Sequence, residues 1–195
     1  TILLFIILGI GCLCGSISFC GFSTNVNIKS ILLWILAFGI QGATEEIMCR
    51  GFLLNSLKNR ISIPLAILIS STAFVFPHLS SLIEADFVYA VVGIINLYLV
   101  SITFSILVLW RCNIWIACGL HSAWNFILYV IMGLSLSGSE SVSKGVVLFS
   151  VKDTSILNGA DYGIEASVIT TVVLGMLLFV MLKGWKGRIG KDGIS

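Results

Sequence analysis

Residues 31–50 read ILLWILAFGIQGATEEIMCR, an apolar run that carries two glutamates and an arginine close to its end. Ionisable groups at bilayer depth are costly, so they need partners and commonly mark a functional site. The two histidines of the chain, His78 and His121, also lie inside apolar stretches, at residues 61–82 and 112–133. Ionisable residues on three separate segments predict one shared polar site inside a helical bundle.

The composition is typical of an integral membrane protein. Of the 195 residues, 58% are hydrophobic and only 10% are charged, and the mean hydropathy is +1.10. A soluble domain is nearer half apolar and a quarter charged. The net charge of +2 is too small to indicate a nucleic-acid partner. We therefore expect the lipid bilayer and a membrane-associated peptide or protein substrate to be the partners, while the sequence identifies no partner membrane protein.

Apolar stretches long enough for spans of about 20 residues predict an all-α, polytopic transmembrane helix bundle with a buried polar cavity. The six candidate spans are residues 1–19, 31–57, 61–82, 87–110, 112–133 and 164–182. We expect one membrane domain, residues 1–195, in which 135–161, rich in Ser and Gly, is the only long loop. Because the chain starts at Thr1 within an apolar stretch, we expect it to lack its N-terminal part rather than to carry a signal peptide.

Basic residues in the loops predict the orientation, because cytoplasmic loops carry an excess of Lys and Arg. One side of the predicted bundle holds Lys58, Arg60, Arg111, Lys183, Lys186, Arg188 and Lys191, and the other holds Lys29, Lys144 and Lys152. This bias places the C-terminal tail in the cytoplasm. The short loops and the compact size favour a bacterial plasma-membrane protein.

The second apolar stretch contains the pattern EExxxR. Glu46 and Arg50 are four residues apart, so they share one face of a helix and are expected to form an ion pair. Adjacent residues on a helix point about 100° apart, which leaves Glu45 free to face a cavity. Taken alone, this segment could also be an amphipathic helix at the membrane interface with solvated charges.

The other two patterns are FxxxH and HxxxN. Phe74 precedes His78 by four residues and is expected to pack against it, while Pro77 is expected to kink the helix. His121 and Asn125 also share a helix face. Each pattern alone could be structural: a hydrogen-bonded histidine, or an ordinary polar contact between membrane helices.

The helical rise per residue gives the depth of each group in the membrane, counted from the basic turns on one side of the bundle. Four polar residues lie at similar depth, which favours a single cluster of these side chains: Glu45, His78, His121 and Asn125. Such a cluster suits peptide hydrolysis. Glu45 would take a proton from water, and His78 would orient that water or carry the proton to the leaving amine. His121 and Asn125 would donate to the negative oxygen of the tetrahedral intermediate.

EExxxR, FxxxH and HxxxN in this order resemble the motifs of the CAAX proteases and bacteriocin-processing enzymes, the CPBP or Abi family of intramembrane glutamate-type endopeptidases. The resemblance covers residues 31–133 and matches Glu45, Glu46, Arg50, Phe74, His78, His121 and Asn125. It implies a helical bundle with a buried conical cavity in which a peptide bond is hydrolysed. It also implies that the first glutamate and the first histidine activate water, while the second histidine and the asparagine hold the carbonyl oxygen.

Several alternatives use the same residues. Glu45, His78 and His121 could bind zinc with a water in the fourth position, although there is no HExxH motif, and we expect no cofactor. Cys49 could be the nucleophile of a cysteine protease, but acidic neighbours disfavour its thiolate. The remaining alternatives are a proton-coupled transporter and a non-catalytic protein that binds a bacteriocin and confers immunity.

Overall fold

The computed structural model of the chain describes residues 2–139, 145–152 and 154–192, with side chains described as far as residue 185. These residues form six helices: α1 (Ile2–Leu13), α2 (Ile28–Leu57), α3 (Ile63–Ile83), α4 (Phe87–Arg111), α5 (Trp115–Ile131) and α6 (Val168–Asp192). Within them, α2, α3, α4 and residues 168–185 of α6 are long and apolar enough to cross a membrane. The predicted all-α membrane bundle is confirmed, but among the described residues four helices rather than the six predicted spans reach that length, because α1 and α5 are shorter apolar helices.

The outer faces of these helices are apolar. On α2, Leu32, Leu33 and Leu36 each expose more than half of their surface, and Phe179 and Val180 do so on α6. Apolar side chains on the outside of a bundle are suited to lipid rather than water. Of the basic residues that predicted the orientation, Lys144 lies outside the described residues, as do the side chains of Lys186, Arg188 and Lys191.

The prediction of one span over residues 1–19 is wrong. Helix α1 ends at Leu13, and a strand, β1 (Ile17–Phe22), follows it. The chain turns at Gly15, whose φ of +71° is a conformation that favours glycine. The N–H of Ser16 donates to the Gly11 carbonyl, and the N–H of Gly15 donates to Cys12. This pair of bonds is the Schellman motif, which ends a helix by satisfying its last carbonyls.

The predicted loop at 135–161 contains a second strand, β2 (Val147–Val151), and is therefore not entirely irregular. β2 pairs antiparallel with β1, with Ile17 opposite Val151, and a bulge interrupts the register between Phe19 and Gly21. The two strands are far apart in the chain and form a ladder only when the bundle brings them together. This sheet ties the segment between α5 and α6 to the N-terminal part of the chain.

Helices α2 and α5 approach closely at Gly42. A Cβ atom on Gly42 would lie 2.6 Å from Ser122 Oγ and 2.9 Å from the Ser122 backbone nitrogen. Small residues at membrane helix contacts allow this kind of close backbone approach. The contact sets Glu45 and Glu46, one turn further along α2, beside His121 on α5.

Three irregular turns interrupt the helices near the motif residues. The backbone is π-helical at Ile47–Leu54 and at Ile127–Ile131, and it tightens to a 3₁₀ turn at Phe76–His78. The expected effect of Pro77 therefore takes the form of this 3₁₀ turn. Ser70 Oγ donates to the Cys49 carbonyl at 2.8 Å, which gives a carbonyl in the first π-helical turn a partner. π-helical turns are rare and frequently occur at functional sites.

Candidate active site

The Glu46 carboxylate lies at the centre of a buried polar network. Its Oε1 accepts hydrogen bonds from Arg50 Nη1 at 2.9 Å and from His121 Nδ1 at 3.0 Å. Glu46 and Arg50 are almost completely buried, with 0% and 1% of their surface exposed. Arg50 Nη2 also donates to the Ser101 carbonyl at 3.1 Å. The predicted ion pair is present, and it links helices α2, α4 and α5.

Glu45 points to the other side of His121. Its Oε1 accepts from Gln41 Nε2 at 3.1 Å, and its Oε2 lies 3.9 Å from His121 Nε2. Oε2 has no hydrogen-bond partner among the described residues, although the Glu45 side chain as a whole is 28% exposed. The two adjacent glutamates therefore flank the two nitrogens of one imidazole ring.

The neighbours of the two imidazole rings determine where their protons lie. His78 Nδ1 is 3.0 Å from the Phe74 carbonyl, which can only accept a hydrogen bond. His78 therefore carries a proton on Nδ1, and in the neutral ring Nε2 keeps its lone pair. In the same way, the Glu46 carboxylate accepts a hydrogen bond from His121 Nδ1, so this nitrogen also carries a proton. The Nε2 atom is thus the nitrogen available for chemistry on both rings.

Phe74 lies between the two histidines. Its ring centroid is 5.2 Å from that of His78 and 5.7 Å from that of His121. The Arg50 guanidinium lies 4.5 Å above the same ring, a favourable cation–π distance. Phe74 thus contacts His78, as the sequence predicted, and it also fixes the spacing between the two rings.

Asn125 is buried one turn beyond His121 on α5. Its amide nitrogen is 3.5 Å from Gln41 Oε1, at the outer limit of a hydrogen bond. Gln41 therefore bridges Glu45 and Asn125, a role that the sequence reasoning missed. The signal was available, because Gln41 precedes Glu45 by four residues and shares its helix face.

A cavity of about 750 Å³ opens beside these groups. His78, His121, Asn125 and Gln41 line it, together with mostly aromatic and aliphatic side chains. Glu45 does not line the cavity itself but is joined to it by its contacts with Gln41 and His121. A mostly apolar cavity of this size with a few convergent polar groups is typical of a ligand site.

Glu45 and His78 do not contact each other directly. Within the described part of the chain, His78 bonds to the Phe74 carbonyl, whereas Glu45 lies beside Gln41 and His121. The resemblance implied that these two groups activate water together, so in this structure a bound water would have to bridge them.

The Cys49 side chain is buried against Phe74 and does not line the cavity. Among the described residues, no three His, Cys, Asp or Glu side chains converge closely enough to hold a metal ion.

A second polar cluster at the cavity was not predicted. Trp124 Nε1 donates to Glu165 Oε1 at 3.0 Å, and the backbone N–H and hydroxyl of Ser137 donate to Glu165 Oε2 at 2.8 and 3.0 Å. The sequence placed Glu165 at the edge of the last apolar stretch, without a role. Its contacts depend on segments far apart in the chain, which no local pattern reveals.

A helical membrane protein that gathers two carboxylates, two imidazoles and an amide beside a cavity has the groups that a membrane hydrolase needs. Comparison with protein families agrees, because the model of the type II CAAX prenyl endopeptidase Rce1-like family matches residues 27–127, more than half of the chain. The chain belongs to this family of membrane endopeptidases, and the predicted resemblance is confirmed. The matched residues include all seven motif positions. Comparisons with curated proteins and with solved structures gave no match.

Proposed function

We propose that this chain hydrolyses a peptide bond of a membrane-associated peptide or protein inside the cavity, with Glu45, His78, His121 and Asn125 as the catalytic residues. The observation that carries the proposal is the position of Glu45 Oε2, which lies 3.9 Å from His121 Nε2 and has no hydrogen-bond partner in the part of the chain that the structure describes. A free acceptor next to a histidine nitrogen at the cavity is suited to bind and deprotonate a water molecule.

In the proposed reaction, Glu45 removes a proton from water as that water attacks the carbonyl carbon of the substrate. His78 presents Nε2 to the cavity, because its Nδ1 is held by the Phe74 carbonyl. In this scheme Nε2 orients the attacking water by accepting a hydrogen bond from it, receives the proton from Glu45 through a second bound water, and passes it to the leaving amine. Proton transfer by a positioned side chain typically contributes about 100-fold to 10,000-fold in rate.

His121 and Asn125 would hold the oxygen of the tetrahedral intermediate, with His121 acting as the doubly protonated ring that donates Nδ1–H to Glu46 and Nε2–H to the oxyanion. Both are buried, line the cavity and belong to one face of α5. Among the described residues, the amide nitrogen of Asn125 makes one long contact, with Gln41 Oε1, so little is lost when its N–H turns to the substrate. Glu46 and Arg50 do not face the substrate in this scheme. They are positioning residues that fix the His121 ring from behind.

The proposed mechanism uses no metal ion. Its support is that every step can be assigned to a side chain that lines the cavity or, for Glu45, to one that contacts the lining residues Gln41 and His121. His121 Nδ1 is also engaged by Glu46, so this ring would offer a metal only Nε2. Activity that persists in the presence of strong chelators would agree with this scheme.

Purified protein in liposomes can test the proposed activity with a prenylated peptide that carries a fluorophore and a quencher on either side of the scissile bond. We expect Glu45→Gln to lower kcat at least about 100-fold, because the base is lost while side-chain size is kept. Glu84→Gln is the matched control, since Glu84 is exposed at the end of α3. Wild-type cleavage by Glu45→Gln would overturn the assignment of the base, and an unprenylated peptide reports whether the lipid is required.

We also propose that the protein resides in a bacterial plasma membrane with its C-terminal end in the cytoplasm. The excess of Lys and Arg at the turns after α2 and α4 and at the end of α6 supports this orientation. Fusion of a cytoplasm-dependent reporter to the C-terminus, with a periplasm-dependent reporter as the reciprocal control, tests it. Activity of the periplasmic reporter alone would reverse the orientation.

A further inference from the structure

The cavity has a second polar region, made of residues other than the seven motif positions. It is formed by the Glu165 carboxylate, the Asn96 amide and the hydroxyl-bearing residues Ser137, Ser139 and Thr170, all of which line the cavity. Glu165 lies in the 3₁₀ turn that precedes α6, outside residues 27–127 that the family model matches. This region is therefore not explained by the motif that defines the family.

Asn96 supplies a buried acceptor in this region. Only 3% of its surface is exposed, and its Nδ2 donates to the carbonyls of Glu165 and Ser167 at 2.8 and 3.0 Å. These two bonds use the amide nitrogen and leave Oδ1 without a hydrogen-bond partner among the described residues. A buried polar atom without a partner is costly, so it is expected to bind a donor when the site is occupied.

Glu165 adds negative charge to the same region. Its carboxylate accepts from Trp124 and Ser137, which are neutral donors, and it forms no ion pair within the described part of the chain. The backbone carbonyl of Glu165 accepts a hydrogen bond from Asn96, which lies nine residues after the start of α4. The 3₁₀ turn that carries Glu165 is therefore about 14 Å from the N-terminal end of α4. A carboxylate at this depth is expensive to keep ionised and commonly serves a ligand or a proton pathway.

We infer that Asn96 and Glu165 form a subsite that binds a cationic group of the substrate, the ammonium or guanidinium of a Lys or Arg side chain or a free α-amino group. The inference rests on the proposed function, because it assigns a selectivity to the same cavity. Asn96 Oδ1 and the carboxylate of Glu165, whose Oε1 accepts one hydrogen bond, from Trp124, are both acceptors, and the charge of the subsite is negative. These properties exclude a carboxylate or phosphate as its ligand. Trp124 connects it to the catalytic helix, because Trp124 directly precedes Asn125 and donates to Glu165.

Binding of dye-labelled farnesylated peptides to the purified protein, measured by fluorescence anisotropy, tests this subsite without requiring cleavage. The peptides carry Lys, Arg, norleucine or Glu at one position near the prenylated cysteine, and each position is scanned in turn, with free and acetylated N-termini. We expect Lys or Arg at one position, or the free N-terminus, to bind at least tenfold more tightly than its neutral counterpart. Glu165→Gln should reduce that preference to less than twofold.

The variants Trp124→Phe and Glu165→Asp distinguish the loss of the Glu165 charge from a general folding defect. Trp124→Phe removes the hydrogen bond to Glu165 but keeps the charge, and Glu165→Asp shortens the side chain with the charge retained. Both should therefore keep a cation preference above fivefold. Equal binding of cationic and neutral peptides by the wild type at every position would overturn the subsite, as would an unchanged preference in Glu165→Gln. Loss of cleavage with selective binding intact would instead count against the proposed function alone.

Discussion

Glu46 and His121 form a buried pair, with the glutamate Oε1 3.0 Å from the histidine Nδ1. The second glutamate of EExxxR is thus more than the counter-ion of Arg50, because the same oxygen also fixes the orientation and the tautomer of a histidine at the cavity. A partner that orients a functional histidine from behind is a common arrangement in enzymes. The adjacent residues Glu45 and Glu46 consequently have different tasks.

Glu46→Gln should lower kcat about 10-fold to 100-fold with little change in KM, the cost typical of losing a partner that orients a functional histidine. The amide of glutamine can still accept a bond from His121 but cannot supply a negative charge to Arg50. Cleavage kinetics with the prenylated peptide measure the effect, and Glu46→Asp should restore part of the rate. A rise in KM with kcat unchanged would mean that Glu46 contributes to substrate binding instead.

Arg50→Ala should destabilise the folded protein by about 3–5 kcal/mol, because it leaves the carboxylate of Glu46 buried without its cation. It also removes the bond to the Ser101 carbonyl on α4. Unfolding in detergent, followed by circular dichroism, measures the loss. Arg60→Ala is the control, since Arg60 is exposed in the turn after α2 and its replacement should change stability by less than about 0.5 kcal/mol.

Asn125→Ala should lower kcat about 100-fold to 1,000-fold while the protein remains folded, because one donor to the oxyanion is lost. Its hydrogen bond to Gln41 is long, so the stability cost should be small. Asn55→Ala removes an exposed asparagine from α2 and serves as the matched control. Near-normal kcat in Asn125→Ala would remove this residue from the oxyanion site.

Gly42→Ala should reduce both stability and activity, because the new Cβ would meet Ser122 Oγ at 2.6 Å and the Ser122 backbone nitrogen at 2.9 Å. The helices α2 and α5 would have to separate, which moves Glu45 away from His121. Gly39→Ala on the same helix meets no atom within 4 Å and should be neutral or stabilising by up to about 1 kcal/mol. The two variants differ only in the neighbour that the methyl group meets.

Cleavage should be insensitive to EDTA and 1,10-phenanthroline and should survive Cys49→Ser with kcat within about threefold of the wild type. Cys49 is buried and its side chain does not line the cavity. Inactivation by chelator that is reversed by added zinc would support a metal-dependent mechanism. Loss of activity in a folded Cys49→Ser protein would support a cysteine nucleophile.

The sequence predicted the helical bundle, because length and hydropathy are local signals. Four-residue spacing also identified residues that the structure places at or beside one cavity, although Glu45 and His78 do not contact each other there. The sequence could not predict that Glu46 bonds to His121, since that contact depends on how closely α2 and α5 pack at Gly42. The strand pairing of β1 with β2 and the contacts of Glu165 were missed for the same reason. The end of α1 could have been predicted from the sequence, because glycine at a position such as Gly15 typically ends a helix.

Helix α5 carries His121 and Asn125 and has 17 residues, so it is only about 26 Å long. The hydrocarbon core of a typical bilayer is about 30 Å thick, and a shorter helix is accommodated by thinning of the lipid around it. Such hydrophobic mismatch shortens the path from the headgroups to the scissile bond. We therefore expect turnover to rise in liposomes made of lipids with shorter acyl chains and to fall in thicker, sterol-rich ones.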